Sequence, residues 1–427
     1  MMELPARDSN PALHPRRALL AGVGGLAAGA FLAGQASAGP LNPPPGPVAS
    51  TPGPEPRIPI GPATTPGDAN SLYKITQPGS YYLTGNINGV SGRHGIEITA
   101  SGVSLDLMGY DLIGAAGSLD GIAATVSGLS RVTVRNGHIR GWGGSGIDLA
   151  TQDVSNCLME NLSLASNAQQ GLVMGGSSVA HRCVATDNGG SGIAGINGCA
   201  ISDCTASGNG SIGISAVGGA VVRHCASYSN VGAGIQVGQA STVTGCAAYS
   251  NLSWGFSAGE GCSVSHSTAS NNADGFQVGI GSVVTECVAQ SNVNNGFAVG
   301  GESTIQHCTA RANGQAGISL AFRCRALHNT SVSNSGVGNS IGIFTPSSGN
   351  RIEGNYCAQN FYGILINGTN NIVVGNTCSG NTNNWLFQPN NVFGPIVDRR
   401  TPGTGQAFGN AVASSLGTTD PNANFSI

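Results

Sequence analysis

Charged side chains are scarce in this chain. Asp, Glu, Lys and Arg together make up 9% of the 427 residues, the formal net charge is -3, and Lys74 is the only lysine. A protein that binds nucleic acid needs a cluster of basic side chains to meet the phosphates, and this sequence contains none, so that class of partner is excluded. The surface must instead consist largely of Ser, Thr, Asn, Gln and Gly, which suits hydroxyl-rich ligands.

Long apolar runs are also missing. The longest, residues 18–33, has 16 residues, which is short for a bilayer-spanning helix. Arg16-Arg17 precede it, and Ala36-Ser37-Ala38 form an A-x-A cleavage signal before Gly39. This pattern is similar to a twin-arginine export signal, so we expect residues 1–38 to be removed and the mature chain to lack a transmembrane segment. The alternative is an uncleaved anchor. Export places the protein in the periplasm, on the cell surface or outside the cell.

Residues 39–66 hold 11 of the 20 prolines. Proline has no backbone N–H to donate to a strand ladder, so the composition predicts an extended, semi-rigid spacer over residues 39–72.

One 21-residue phrase then dominates the chain. It begins with Gly followed by Ile or Phe, and each copy is typical of about three short strands separated by turns. The phrase starts at Gly192, Gly213, Gly234, Gly255, Gly275, Gly296 and Gly317. Counting each of these glycines as position zero, position 12 is usually Cys, and position 17 is Asn in eight successive copies. Stacked coils of this kind let equivalent strands pair in parallel, with the asparagines forming a hydrogen-bonded ladder.

Leucine is rare at the periodic positions, which excludes a leucine-rich repeat, and the period leaves no room for a helix. The repeat resembles the right-handed parallel β-helix of the pectate-lyase-like superfamily, from about Tyr81 to Asn381. The resemblance implies an all-β fold, with a single solenoid of about 12 to 13 coils over residues 73–382. Residues 383–427 are expected to form a C-terminal cap and tail.

Twelve cysteines in an exported protein suggest disulfides, but their spacing argues against them. Most occupy equivalent inward positions, and stacked Cβ atoms about 4.8 Å apart exceed the reach of a disulfide. We therefore predict buried, unpaired thiols at Cys183, Cys204, Cys225, Cys246, Cys287 and Cys308. No Cys-x-x-Cys pair is present, and no metal site is expected.

The resemblance implies two kinds of enzyme chemistry. Lyases of this superfamily use carboxylates to hold Ca²⁺ with an Arg or Lys as base, and its hydrolases cluster aspartates on one outward strand face. Position 2 of the repeat, the outward face here, carries one carboxylate in nine copies from Asp148 to Ser319. Glycoside hydrolysis needs a pair, so catalysis along the regular coils is disfavoured, and Ca²⁺ is expected only if the protein is a lyase.

The first coils hold the remaining candidates. Glu97 and Asp148 occupy the same outward position two coils apart, roughly 10 Å by the strand spacing. Asp120, His138 and Arg140 lie on adjoining turns, and Trp142 could stack on a sugar ring.

A second interpretation of these coils is structural. In it, Asp106 and Asp111 form turns and pair locally with Arg135 and Arg140. Position 11 also carries a row with four histidines, which we interpret as solvated turn residues.

Three functions follow as hypotheses. The preferred one is an exported β-helix that binds polysaccharide or cell-envelope material without catalysis. The second is a polysaccharide lyase or glycoside hydrolase acting at the first coils. The third is a structural, self-associating surface protein. The sequence leaves the oligomeric state open.

Overall fold

The computed structural model describes residues 57–149, 153–335, 340–399 and 418–427. The predicted signal peptide and most of the predicted spacer lie outside these residues. Within them the chain forms strands, turns and bends, and no segment is a helix able to cross a membrane. The fold is a right-handed parallel β-solenoid of about 16 turns, which confirms the predicted fold class.

One sheet contains 15 parallel strands, one from each successive coil, and we call it the glycine sheet because the repeat glycines stand just before the first residue, or at the second residue, of most of its strands. Its strands are Ser71–Ile75, His94–Ile98, Ile122–Ala124, Ile147–Asp148, Leu172–Met174, Ile193–Gly195, Ile214–Ala216, Ile235–Val237, Trp254–Ala258, Asp274–Val278, Phe297–Val299, Ala316–Leu320, Ile341–Thr345, Tyr362–Ile366 and Asn383–Phe387.

The remaining 30 strands form a second sheet that bends once per coil, and we call it the bent sheet. Those before the bend are Ile58–Pro59, Gly79–Tyr82, Val103–Asp106, Val179–His181, Ala200–Ser202, Val221–Arg223, Thr242–Thr244, Ser263–Ser265, Val283–Thr285, Thr304–Gln306, Arg325–Leu327, Arg351–Glu353, Ile372–Val374 and Val392–Phe393. Those after it are Ile87–Asn88, Asp111–Ile113, Val184–Thr186, Thr205–Ser207, Ala226–Tyr228, Ala247–Tyr249, Thr268–Ser270, Val288–Gln290, Thr309–Arg311, Thr330–Val332, Tyr356–Ala358, Thr377–Ser379, Ile396–Asp398 and Asn424–Ser426. Thr133–Arg140 and Leu158–Ala165 run through the bend as single strands.

Strand pairing extends beyond the predicted limits of the solenoid. Ile58–Pro59 pairs with Tyr81–Tyr82, and Asn383–Phe387 continues the glycine sheet. The solenoid therefore has more turns than the 12 to 13 counted from the sequence. These outer coils lack the Gly-Ile phrase, so the period alone did not find them.

Each regular coil turns three corners, and each corner uses a left-handed residue. In the coil that begins at Gly192 these residues are Gly198, Asp203 and Gly208, with φ of 71°, 56° and 64°. The next residue at each corner points inward, and these residues are Cys199, Cys204 and Asn209, all buried. The three inward corners of successive coils stack, which explains why the sequence repeats small, sulfur-bearing or amide side chains at positions 7, 12 and 17.

The asparagine ladder at position 17 is confirmed. Asn209 is typical: its backbone N–H donates to Asn230 Oδ1 at 3.0 Å, and its side-chain Nδ2 donates to the same oxygen at 2.9 Å and to Ala185 O at 3.1 Å. Each amide thus satisfies turn groups of its neighbours, which a buried corner cannot leave unpaired.

Cysteine takes the amide's place at position 12. The backbone N–H of Cys183 points at Cys204 Sγ, 3.4 Å away, while that thiol lies 3.2 Å from Ser202 O. All twelve cysteines are buried and free, which confirms the predicted thiols. Burial also raises the pKa of the thiols of Cys157, Cys199, Cys262 and Cys324.

We expect none of the twelve thiols to react with an aromatic disulfide reagent in the native protein, and all twelve to react after unfolding without reductant. Burial keeps the reagent out, and the reactive species is the thiolate, which burial disfavours. Reagent absorbance before and after guanidinium addition measures both numbers. A titre that reaches twelve only after a reductant is added would contradict the free ladder.

Candidate functional site

The outward face of the glycine sheet carries one side chain per coil at position 2, and we call this line the outer row. In register, the outer row reads Lys74, Glu97, Ala123, Asp148, Val173, Ala194, Ser215, Gln236, Ser257, Gln277, Ala298, Ser319, Phe344, Leu365 and Leu386. Its character changes along the axis, from charged at the first coils, through small and polar, to apolar at the last. Neighbouring members are one strand spacing apart, about 4.8 Å.

A groove of about 300 Å³ lies on this row, and we call it the outer-row groove. Ala298 and Ser319 form its floor, because two short side chains stand between Gln277 and Phe344. Pro346 and Ser347 line one side of it. The residues lining the groove include no charged side chain.

The side wall of the groove is held in place by hydrogen bonds. Thr345 Oγ1 accepts from Ser347 N at 3.2 Å and from Asn350 Nδ2 at 2.8 Å. Asn371 Nδ2 donates to Ser347 O at 3.1 Å. The wall is therefore tied to the amide ladders of two coils. Such a groove is preformed and presents amide, hydroxyl and methyl groups.

A second line of residues stands immediately before the repeat glycines, and we call it the shoulder row. From coil to coil it reads His94, Asp120, Ser145, Gln170, Ser191, Ile212, Ala233, Trp254, Asp274, Asn295, Ala316, Ile341 and Tyr362. The candidates predicted from the sequence came from position 2, position 11 and the first coils, and they did not include Trp254 and Asp274. The signal was present, because from Gln170 to Ile341 Trp254 is the only aromatic residue and Asp274 the only charged residue on the shoulder row.

Glu97, the first predicted catalytic candidate, is only 4% exposed. It lies 3.2 Å from Lys74 Nζ, accepts from Ser71 Oγ at 3.0 Å and accepts from Thr125 Oγ1. Lys74 also pairs with Asp68 at 2.9 Å, and this hydrogen bond raises the pKa of the lysine and holds the pKa of Asp68 well below its usual range. The Glu97 carboxylate therefore links its own coil to the neighbouring coils through an ion pair and hydrogen bonds.

Asp148 lies in the glycine sheet with Glu97, and Asp120 stands two residues before the strand Ile122–Ala124 of that sheet. Asp148 lies on the outer row two strands from Glu97, with Ala123 between them, as predicted. Asp120 Oδ2 lies 3.3 Å from His94 Nδ1, and Asp120 Oδ1 accepts from Ser145 N at 2.6 Å.

His138 and Arg140 lie on the bent sheet, so the structure separates them from Glu97, Asp120 and Asp148. Arg140 pairs with Asp111 at 3.1 Å, and Arg135 pairs with Asp106 at 3.2 Å. These are the local ion pairs that the structural interpretation predicted, although Asp106 and Asp111 themselves lie in the strands Val103–Asp106 and Asp111–Ile113. His138 lines a separate cavity of about 410 Å³ together with Arg182.

The predicted role of Trp142 is wrong. Its side chain is 1% exposed and its Nε1 donates to Leu112 O at 3.2 Å, so no ring face is open to a sugar. Its backbone N donates to Asn167 Oδ1, which shows that Trp142 holds the ladder position of its coil. The indole fills the core beside Gly95, where an added Cβ would come within 2.7 Å of it.

The histidine row lies on the bend of the second sheet. The rings of His307 and His328 stack at 5.5 Å, and His266 Nε2 is 2.6 Å from Glu286 Oε2. Among the described residues, no three His, Cys, Asp or Glu side chains converge in a group able to hold a metal ion.

Comparison with known proteins identifies the family to which the repeat belongs. A family model described as "Right handed beta helix region" matches residues 86–222, 120–274 and 197–335. A comparison with curated proteins finds no match.

Among solved structures, the A-module of the mannuronan C-5 epimerase AlgE4 of Azotobacter vinelandii is 14% identical, over 74% of this chain and 91% of that one, with a TM-score of 0.41. A DFA-IIIase of Arthrobacter chlorophenolicus is 12% identical, over 74% of this chain and 88% of that one, with a TM-score of 0.38. Similarity at this level is confined to the fold.

Proposed function

This chain belongs to the right-handed β-helix family, and we propose that it is an exported protein that binds a largely neutral polysaccharide in the outer-row groove. The observation that carries this proposal is the uncharged lining of the groove: Gln277 and Ser319 offer an amide and a hydroxyl, and Ala298 offers a methyl group. Sugar hydroxyls match the former, and the apolar face of a pyranose ring matches the latter.

The repeat also suits a polymer. Each coil offers the same backbone geometry one strand spacing further along, so a chain lying along the axis meets a new coil about every 4.8 Å. Gln277, Ala298 and Ser319, which line the groove in three successive coils, give such a chain a continuous path.

Binding without turnover is the form of the proposal that the groove supports. Glycoside hydrolysis uses two carboxylates on either side of the scissile bond, and the groove lining supplies none. The alternative, a polysaccharide lyase or glycoside hydrolase acting at the first coils, predicts that the bound polysaccharide is cleaved into products.

Gln277→Ala is expected to weaken polysaccharide binding by about three- to tenfold, because one ligand hydrogen bond is lost. Ala298→Phe is expected to abolish most binding by filling the groove floor. The ligand is first identified by screening the mature protein against neutral and uronate-containing polysaccharides. Affinity is then measured by isothermal titration calorimetry, with product formation followed in parallel.

Matched controls come from the same row. Gln236→Ala and Ala194→Phe make the same exchanges on outer-row positions that do not line the groove, and both are expected to bind like the wild type. Equal losses in both pairs would disprove the groove as the site. Unsaturated or reducing products would favour the enzyme instead.

A further inference from the structure

Trp254 differs from the other two tryptophans in how its indole N–H is used. Trp142 Nε1 donates to Leu112 O at 3.2 Å, and Trp385 Nε1 donates to Ser426 Oγ at 2.9 Å. Trp254 is partly exposed on the shoulder row, and its indole N–H makes no hydrogen bond to any of the residues that the structure describes. Indole N–H groups usually find a partner when they are taken out of water, so this donor is available to a ligand.

Asp274 is the residue paired with Trp254 in the next coil. Its carboxylate is oriented by three N–H donors: Asn295 N and Nδ2 reach Oδ1 at 3.0 and 3.2 Å, and Asn294 Nδ2 reaches Oδ2 at 3.1 Å. The amides are themselves supported, since Asn294 Oδ1 accepts from Gln315 Nε2 at 3.3 Å and Asn295 Oδ1 accepts from Ala316 N at 3.3 Å.

These contacts leave the carboxylate with spare accepting capacity. Two carboxylate oxygens offer about four acceptor positions, and three N–H donors occupy part of them. From Gln170 to Tyr362, Asp274 is the only charged side chain on either the shoulder row or the outer row. A single fixed carboxylate beside a partly exposed aromatic side chain is suited to accept hydrogen bonds from neighbouring sugar hydroxyls.

The pair lies beside the groove already described. Asp274 and Gln277 belong to the same strand, Asp274–Val278, and are three residues apart, about 10 Å at the rise of a strand. A saccharide seated over Gln277 and Ala298 can therefore extend a second ring across the sheet towards Trp254.

We propose that Trp254 and Asp274 form a second saccharide subsite, in which the indole stacks on a pyranose ring and the carboxylate accepts hydrogen bonds from its hydroxyls. This subsite rests on the proposed function and narrows its ligand: the negative charge of Asp274 disfavours uronate rings and selects a neutral sugar. It also assigns the free indole N–H as a donor to a ring or hydroxyl oxygen.

Trp254→Ala and Asp274→Ala are each expected to weaken binding of the neutral polysaccharide about tenfold or more, as expected when a central aromatic or charged anchor is truncated. Trp254→Phe should retain most of the affinity because it keeps a stacking surface. Asp274→Asn should bind neutral polymer more weakly than the wild type and discriminate less against a uronate polymer. Tyr249→Ala and Asp203→Ala, which change an exposed Tyr and an Asp on the bent sheet, should bind like the wild type.

The change in tryptophan fluorescence on adding ligand reports contact between the ligand and Trp254, and a general effect on folding would not produce it. It should be present in the wild type and in Gln277→Ala at saturation, and absent in Trp254→Phe. Wild-type affinity in both Trp254→Ala and Asp274→Ala, with Gln277→Ala weakened, would overturn the subsite and leave the groove intact. Absence of any binding by the wild type would overturn the proposed function itself, and the subsite with it.

Discussion

Gly255→Ala is expected to destabilise the protein by about 3 kcal/mol or more, since overpacking in a rigid core and loss of a buried hydrogen bond add together. A Cβ on Gly255 would lie 2.7 Å from Asn272 Nδ2, 2.8 Å from Gly275 O and 2.9 Å from Ala269 Cβ. All three atoms belong to the wall of the coil, so relief requires moving backbone or breaking the amide ladder. Guanidinium unfolding followed by circular dichroism measures the change.

Two further glycines distinguish the destabilising effect of steric crowding from that of an unfavourable backbone conformation. An added Cβ at Gly85 meets nothing within 4 Å, so Gly85→Ala is expected to change the unfolding free energy by less than about 0.5 kcal/mol. Gly261 also has open space but a φ of +63°, so Gly261→Ala should cost about 1–2 kcal/mol through strain alone. If Gly255→Ala cost no more than Gly261→Ala, steric crowding of the added Cβ would not explain the repeat glycine.

This glycine shows why the fold was predictable from the sequence. Position zero must be bare in nearly every coil for the same steric reason, and position 1 must be apolar because it points into the core. Phe256, Phe276 and Phe297 illustrate this rule: their rings stack in the core, with centroids 4.6 and 4.9 Å apart. A constraint that recurs in each coil leaves a period in the sequence, and the period predicts the coil.

The residues of the candidate site do not recur at a fixed interval, so the period of the sequence does not reveal them. Trp142 replaces a ladder amide in a coil that has no Asn at that position, so its burial had no sequence signal. The outer-row groove depends on two short side chains followed by Phe344 and on a wall at Pro346 and Ser347, a combination that occurs once along the outer row. His138 and Arg140 looked close to Asp120 because they are near in sequence, but a corner lies between the two sheets. In a solenoid, the separation of two residues in the sequence predicts whether they lie in the same coil, but it does not predict whether they lie on the same sheet.

Asn251→Leu is the second change expected to have a large effect. Asn251 is 2% exposed; its Oδ1 accepts from Asn230 N at 3.1 Å and Nδ2 at 2.9 Å, and its Nδ2 donates to Ser227 O at 3.1 Å and Asn272 Oδ1 at 3.0 Å. Leucine preserves most of the volume but removes every side-chain partner. Each buried group left unpaired costs about 1–3 kcal/mol, so a total of about 3–5 kcal/mol is expected from denaturant unfolding.

The matched control is an asparagine that belongs to no ladder. Asn197 is exposed and its Oδ1 accepts one hydrogen bond, from Gly218 N at 3.2 Å. Asn197→Leu should therefore cost less than about 1 kcal/mol, because water can replace the lost acceptor. Comparable losses at both positions would mean that ladder amides act as ordinary turn residues. A large loss at Asn251 alone would show that the buried corner depends on the amide.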